Sequence, residues 1–185
     1  MRRTSLKSLV LPMLLLLAPR AEAIDLDRVL HGNYAVTFSR VCAQAAGGFN
    51  AQLQPIGPVS QLTSAVEMVQ TYNGDGTSSA VANAVNIINN ASNQNRLDFT
   101  CTGTYQVNAD GSFSEDMSCF GTVVAGVLAG QSFTQTGVHR TGHIGVLAQT
   151  LVIGNTGTNL ENVTFSLAGS FARICGRSGT AVKIR

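Results

Sequence analysis

The chain has 185 residues, 44% hydrophobic, 12% charged and 6% aromatic, with no Trp. That balance excludes intrinsic disorder, and the missing Ala/Glu/Lys/Leu/Arg periodicity excludes a coiled coil. The formal charge of +2 belongs to the N-terminal segment: without Arg2, Arg3, Lys7, Arg20 and Glu22, 8 basic and 9 acidic residues remain, so nucleic acid is not an expected partner.

Residues 1–23 have the three parts of a secretory signal. Arg2, Arg3 and Lys7 form the charged start, Leu9 to Ala18 the apolar run, and Ala21-Glu22-Ala23 the small-x-small cleavage site. The apolar run is about half the length that spans a bilayer, so no membrane span is expected after its removal. Ile24, not Cys, follows the cleavage site, and no lipid attachment is indicated. The expectation is an exported protein, periplasmic or secreted, with residues 24–185 forming a single domain.

All four cysteines, Cys42, Cys101, Cys119 and Cys175, lie in that exported part. An even count in an oxidising compartment implies two disulfides. Their spacing matches no zinc or redox motif, and neither metal nor cofactor is expected.

From Tyr34 onward, short apolar–polar alternations are separated by Asn/Gly/Asp/Ser turns, the pattern of strands and tight turns. Tyr34, Val36 and Phe38 alternate with Ala35, Thr37 and Ser39 in a first strand. Residues 43–64, with Gly47-Gly48, Pro55 and Gly57-Pro58, read as a long loop. A strand over Ala65 to Tyr72 turns at Asn73-Gly74-Asp75-Gly76 and returns from Thr77 to Ile88. Leu97, Phe99, Cys101, Gly103, Tyr105 and Val107 share one face of the next strand. With Ala109-Asp110-Gly111 as a three-residue loop and Gly111 left-handed, Asn108 closes against Ser112. Running that register back places Cys101 opposite Cys119 in a non-hydrogen-bonded pair, with Cα atoms about 4.5 Å apart and within bridging range.

By elimination Cys42 pairs with Cys175. Gly121 to Ala129, Ser132 to Val138, Gly145 to Ile153 and Leu160 to Leu167 supply four further strands, and Ala181 to Ile184 a short last one. A link between first and last strands suits a closed sheet. The expected fold is therefore all-β, a single antiparallel β-barrel of about 8–10 strands, with a β-sandwich as the alternative.

Three segments resemble exported bacterial lipocalin-like (calycin) and allene-oxide-cyclase-like barrels. They are His31-Gly32-Asn33-Tyr34-Ala35-Val36, Tyr72-Asn73-Gly74-Asp75-Gly76, and Gly103 through Gly111. Tyr34 stands where the lipocalin Gly-x-Trp opening has Trp. The resemblance implies a barrel whose interior holds an apolar small molecule, and no site residue is carried over from it.

The chemistry-bearing candidates come from parity. Arg40 and Arg173 each share the face of a Phe and a Cys, and an interior guanidinium would grip an anionic head group such as a fatty acid carboxylate. Alternatively each sits at a strand end with its head in water. Glu115 and Tyr105 face one another in the hairpin. A carboxylate against a ring in an apolar barrel suits acid/base work, unless Glu115 lies at the rim. His139 and His143 would stand about 13 Å apart on a strand, too far to share an ion, and read as surface residues. No Gly-x-Ser-x-Gly occurs, and Gly121 to Gly130 lacks nucleotide-loop spacing. The sequons at Asn90 and Asn162 matter only in a eukaryotic host.

The leading reading is a disulfide-bonded barrel that binds a small hydrophobic or anionic amphiphilic ligand through Arg40, Arg173, Tyr105 and Glu115. A cofactor-independent cyclase or isomerase, and a cell-surface or structural interaction protein, are the competing functions.

Overall fold

The computed structural model describes residues 25–89 and 93–184. The signal segment and the Asn90 sequon lie outside the described residues. Eight long strands, β1 (His31–Ala45), β2 (Val59–Asn73), β3 (Thr77–Ile88), β4 (Asn93–Val107), β5 (Ser112–Gly126), β6 (Ser132–Ile144), β7 (Thr150–Phe165) and β8 (Gly169–Lys183), follow one another in space as they do in sequence. Each pairs antiparallel with the next, and β8 returns to pair with β1, so the sheet closes into a barrel with no free edge.

The strands are longer than the turn signals suggest, and their number, eight, lies within the expected 8–10. The 43–64 loop narrows to residues 46–58, because Ala43 to Ala45 still pair with Val59 to Gln61. Residues 121–126 continue β5. Residues 150–153 and 160–165 of the two runs read at 145–153 and 160–167 belong to β7, while Val146–Ala148 forms a 3-10 turn; residues 171–175 and 181–183 belong to β8. Long strands run on through Gly and Asn positions that read locally as breaks, with register shifts at Thr136/Thr141 and Thr156/Leu160.

Alternation fills the interior. In β1, Tyr34, Val36, Phe38, Arg40 and Cys42 are buried while Ala35, Thr37, Ser39 and Val41 are exposed. β2, β3 and β4 repeat the pattern, with Thr, Ser, Asn, Glu and Asp on the outer wall. The β4–β5 hairpin has the expected register: Asn108 N–H donates to Ser112 O at 2.9 Å, Gly111 has φ +80°, and Cys101 faces Cys119. Both disulfides form as inferred, Cys101–Cys119 and Cys42–Cys175.

One end of the barrel is plugged by the N-terminal segment. Leu26–Val29 forms a 3-10 turn that leads Leu30, fully buried, under a layer made by Tyr34, Tyr72 and Tyr105. These rings meet edge to face with centroids 5.0 and 5.4 Å apart, an arrangement worth about 0.5–1.5 kcal/mol per pair beyond burial. Tyr105 Oη accepts from Gly74 N–H at 3.0 Å and lies 2.9 and 2.8 Å from the carbonyl oxygens of Asp27 and Leu30. Asp27 Oδ1 in turn accepts from Val107 N–H at 2.7 Å.

Candidate functional site

The interior is apolar in its walls and charged along its axis. Among the described residues six charged side chains are buried within it: Arg40, Glu115, Arg140, Glu161, Arg173 and Arg177. They fall into two groups at different heights.

The group nearer the plug centres on Glu115. Its Oε1 accepts from Gln70 Nε2 at 2.9 Å and from Ser78 Oγ at 2.5 Å. Its Oε2 accepts from Tyr72 Oη at 3.3 Å and pairs with Arg140 Nη2. Arg140 also reaches Gln70 Oε1 at 2.8 Å and is flanked by the sulfurs of Met68 and Met117. Burial weighs most heavily against the charge on Arg140, but Glu115 and Tyr72 together outweigh it and raise the guanidinium above its usual value. Burial, and then the Glu115 charge, pushes the Tyr72 phenol up. Both oxygens of Glu115 are engaged, while Arg140 Nε is buried without a hydrogen-bond partner.

Sequence parity put Glu115 on the inner face, and the register does pair it with Tyr105. Glu115 is fully buried, not at the rim, and its partner is Arg140. The Tyr105 hydroxyl is turned away into the plug. The acid/base pair expected of Glu115 and Tyr105 is therefore not formed.

The second group lies toward the opposite end. Glu161 Oε2 accepts from Arg173 Nε at 2.8 Å and from Gln135 Nε2 at 2.9 Å, while Glu161 Oε1 pairs with Arg177 Nη2. Arg177 Nη1 donates to His139 O at 3.1 Å. Arg40 stands across the closing seam, opposite Arg177 in the β1–β8 register. It is 5% exposed, and among the described residues no carboxylate pairs with it. Burial, and then the charges of Arg173 and Arg177, drives its guanidinium well below the usual arginine range. Burial lowers Arg173 and Arg177 as well. The alternative that Arg40 and Arg173 keep their heads in water does not hold, since both heads lie inside the wall.

Beyond this group the barrel holds a chamber of about 70 Å3. Arg40, Arg173, Gln44, Asn86, Asn95 and Gln135 supply its polar lining. Phe99, Phe133, Phe165 and Phe171 form a continuous aromatic wall, with successive centroids 6.0, 5.7 and 6.0 Å apart. Ile88, Leu128 and Phe171 are part-exposed at its rim, and Ala168 is exposed, so the chamber meets solvent there. A larger depression of about 910 Å3 lies on the outer wall beside Thr37, Glu67 and Val81. It is open to solvent and encloses nothing.

Of the four sequence candidates, Arg40 and Arg173 come together at the chamber, whereas Tyr105 and Glu115 belong to the plugged end. Three charged residues escaped the sequence reading. Arg177 shares the parity of Cys175 and was legible. Arg140 was not, because a bulge at Thr136-Gly137 shifts the register of β6 and exchanges its faces. Gly137 has φ +72°, and a Cβ there would lie 2.5 Å from Leu160 O, so the bulge requires glycine. Glu161 sits beyond the register shift in β7 between Thr156 and Leu160. His139 is partly exposed and bonds Asp116 Oδ1 at 2.7 Å, and His143 is exposed.

No family model and no curated protein matches the sequence. Among solved structures, the chain is similar to an S-type phycobiliprotein lyase from Guillardia theta, at 7% identity and a TM-score of 0.31, over 86% of this chain and 90% of that one. A likeness at that level decides neither family nor ligand. The class that the fold defines is an eight-stranded antiparallel meander barrel with two disulfides, one of them across the closing seam, plugged at one end and carrying a cationic chamber at the other.

Proposed function

We propose that this is an exported barrel that binds a small amphiphilic molecule in the chamber opposite the plug. The observation that carries the reading is the mixed lining: two guanidiniums and four side-chain amides among four phenylalanines. Ligand pockets have that makeup, an apolar wall with a few polar groups that orient the occupant. Arg40 and Arg173 would hold the polar end. Two disulfides support an oxidising compartment, and among the described residues no helix is long and apolar enough to cross a membrane. Catalysis by Glu115 draws no support from its surroundings, because its carboxylate is fully engaged by Arg140, Gln70, Tyr72 and Ser78.

The test is a titration of the oxidised protein with hexanol, hexanoate, benzyl alcohol and benzoate, following the methyl resonances of Leu97, Leu128 and Val163. Saturable shifts at these methyls, with those of Val36 and Leu151 near the plug unmoved, are the expected result. If none of the four compounds moves the chamber methyls, the proposal fails.

A further inference from the structure

Charge inside the barrel is unbalanced, and the imbalance is local. Glu115 and Arg140 cancel near the plug. Near the chamber one carboxylate, Glu161, faces Arg173 and Arg177, while Arg40 has no acidic partner among the described residues. Two positive charges are therefore in excess beside the chamber. Arg40 Nε and Arg173 Nη2 are buried without a hydrogen-bond partner, and both side chains line the chamber wall. Like charges held across a closed seam, desolvated and lacking acceptors, are unfavourable unless a counter-charge completes them.

Resting on the chamber as the ligand site, we infer that its occupant carries an oxyanion, a carboxylate or a phosphate monoester, on a compact apolar body. The oxyanion supplies the acceptors that Arg40 and Arg173 lack, in the forked geometry that suits guanidinium. The body lies against Phe99, Phe133 and Phe165. Compactness follows from volume: about 70 Å3 is well under the roughly 300 Å3 at which pockets for drug-sized ligands begin. A long acyl chain would have to leave through the rim.

The test compares benzoate and phenyl phosphate with the uncharged benzamide and benzyl alcohol, and hexanoate with decanoate, on the oxidised protein. At least one of the two aryl anions is expected to bind tenfold or more tightly than the uncharged pair, and the stronger of them identifies the oxyanion. Decanoate is expected to gain less than threefold over hexanoate. Arg40→Met should abolish the preference for anions while leaving the Tm of the ligand-free protein unchanged or higher, because an unpartnered buried charge has been removed. Arg40→Lys should retain part of the preference. Equal binding of charged and uncharged compounds overturns the inference while the chamber remains a ligand site. A lowered ligand-free Tm or failure to fold in Arg40→Met overturns it too, since Arg40 would then serve the fold. A tenfold gain for decanoate overturns the compact body. If no compound reaches the chamber, the proposed function falls and this inference with it.

Discussion

Cys42 on β1 stands directly opposite Cys175 on β8, with Cα atoms 4.1 Å apart, and their disulfide crosses the seam at which the first and last strands close the barrel. The second bridge, Cys101–Cys119, spans only the β4–β5 hairpin. The two make the same local contact and differ in the length of chain they tie.

That difference predicts unequal contributions to stability. Chain-entropy arguments give about 5 kcal/mol for a loop the size of the seam bridge and about 3 kcal/mol for the hairpin bridge, from separations of 133 and 18 residues. Denaturant unfolding of Cys42→Ser/Cys175→Ser and Cys101→Ser/Cys119→Ser should show the larger loss in the first. Equal losses would mean that hairpin formation already constrains the unfolded chain as much as seam closure does.

Glu115 and Arg140 predict a non-additive pair. Glu115→Gln strands a buried guanidinium and should cost about 3–5 kcal/mol. Removing both charges, as Glu115→Gln with Arg140→Met, should recover most of that loss, because neither charge is then left alone. A double-mutant cycle by urea unfolding measures the coupling, and additive losses would show that the two side chains do not depend on one another.

Tyr105 predicts a stability effect without a binding effect. Its hydroxyl lies among Gly74 N, Asp27 O and Leu30 O, so Tyr105→Phe leaves buried backbone groups short of a partner at a cost of about 1–3 kcal/mol. Hydrogen exchange should speed up at Leu30 and Gly74, while affinity for chamber ligands stays as in the parent. A changed affinity would couple the plug to the chamber.

The Asp turns predict an acid-sensitive pair of hairpins. Asp75 accepts from Thr77 Oγ1 and N–H, and Asp110 likewise from Ser112 Oγ and N–H. These bonds lower both carboxyls below 3.8 in the folded state, the contacts to Thr77 and Ser112 hydroxyls most of all. A depressed folded value means that the stabilisation is complete above 3.8 and is withdrawn as pH falls through the lowered folded value. NMR titration of the Thr77 and Ser112 amides should show midpoints below 3.8; midpoints at or above it would remove the Asp side chains from the account.

The β4–β5 hairpin shows how far local chemistry reaches. Gly111 admits a left-handed residue, that residue sets the loop type, and the loop sets the register that brings Cys101 to Cys119. Elimination then yields Cys42–Cys175, and with it the closure of the barrel. Parity alone gives Arg40, Arg173 and Glu115 the inward face, because alternation along an uninterrupted strand is a local rule, but it leaves open whether each lies at a strand end or deep in the barrel.

What the sequence by itself determined is the set of rules that act over a few residues: strand alternation, turn type, disulfide pairing and the inward face of β1, β4 and β5. Tertiary structure alone decided who meets whom inside. The Gly137 bulge turned Arg140 inward to neutralise Glu115, the plug claimed the Tyr105 hydroxyl, and Glu161 took Arg173 and Arg177 while Arg40 received no carboxylate. Those pairings depend on strand stagger and on a register shift accumulated around a closed ring, quantities that no single strand contains.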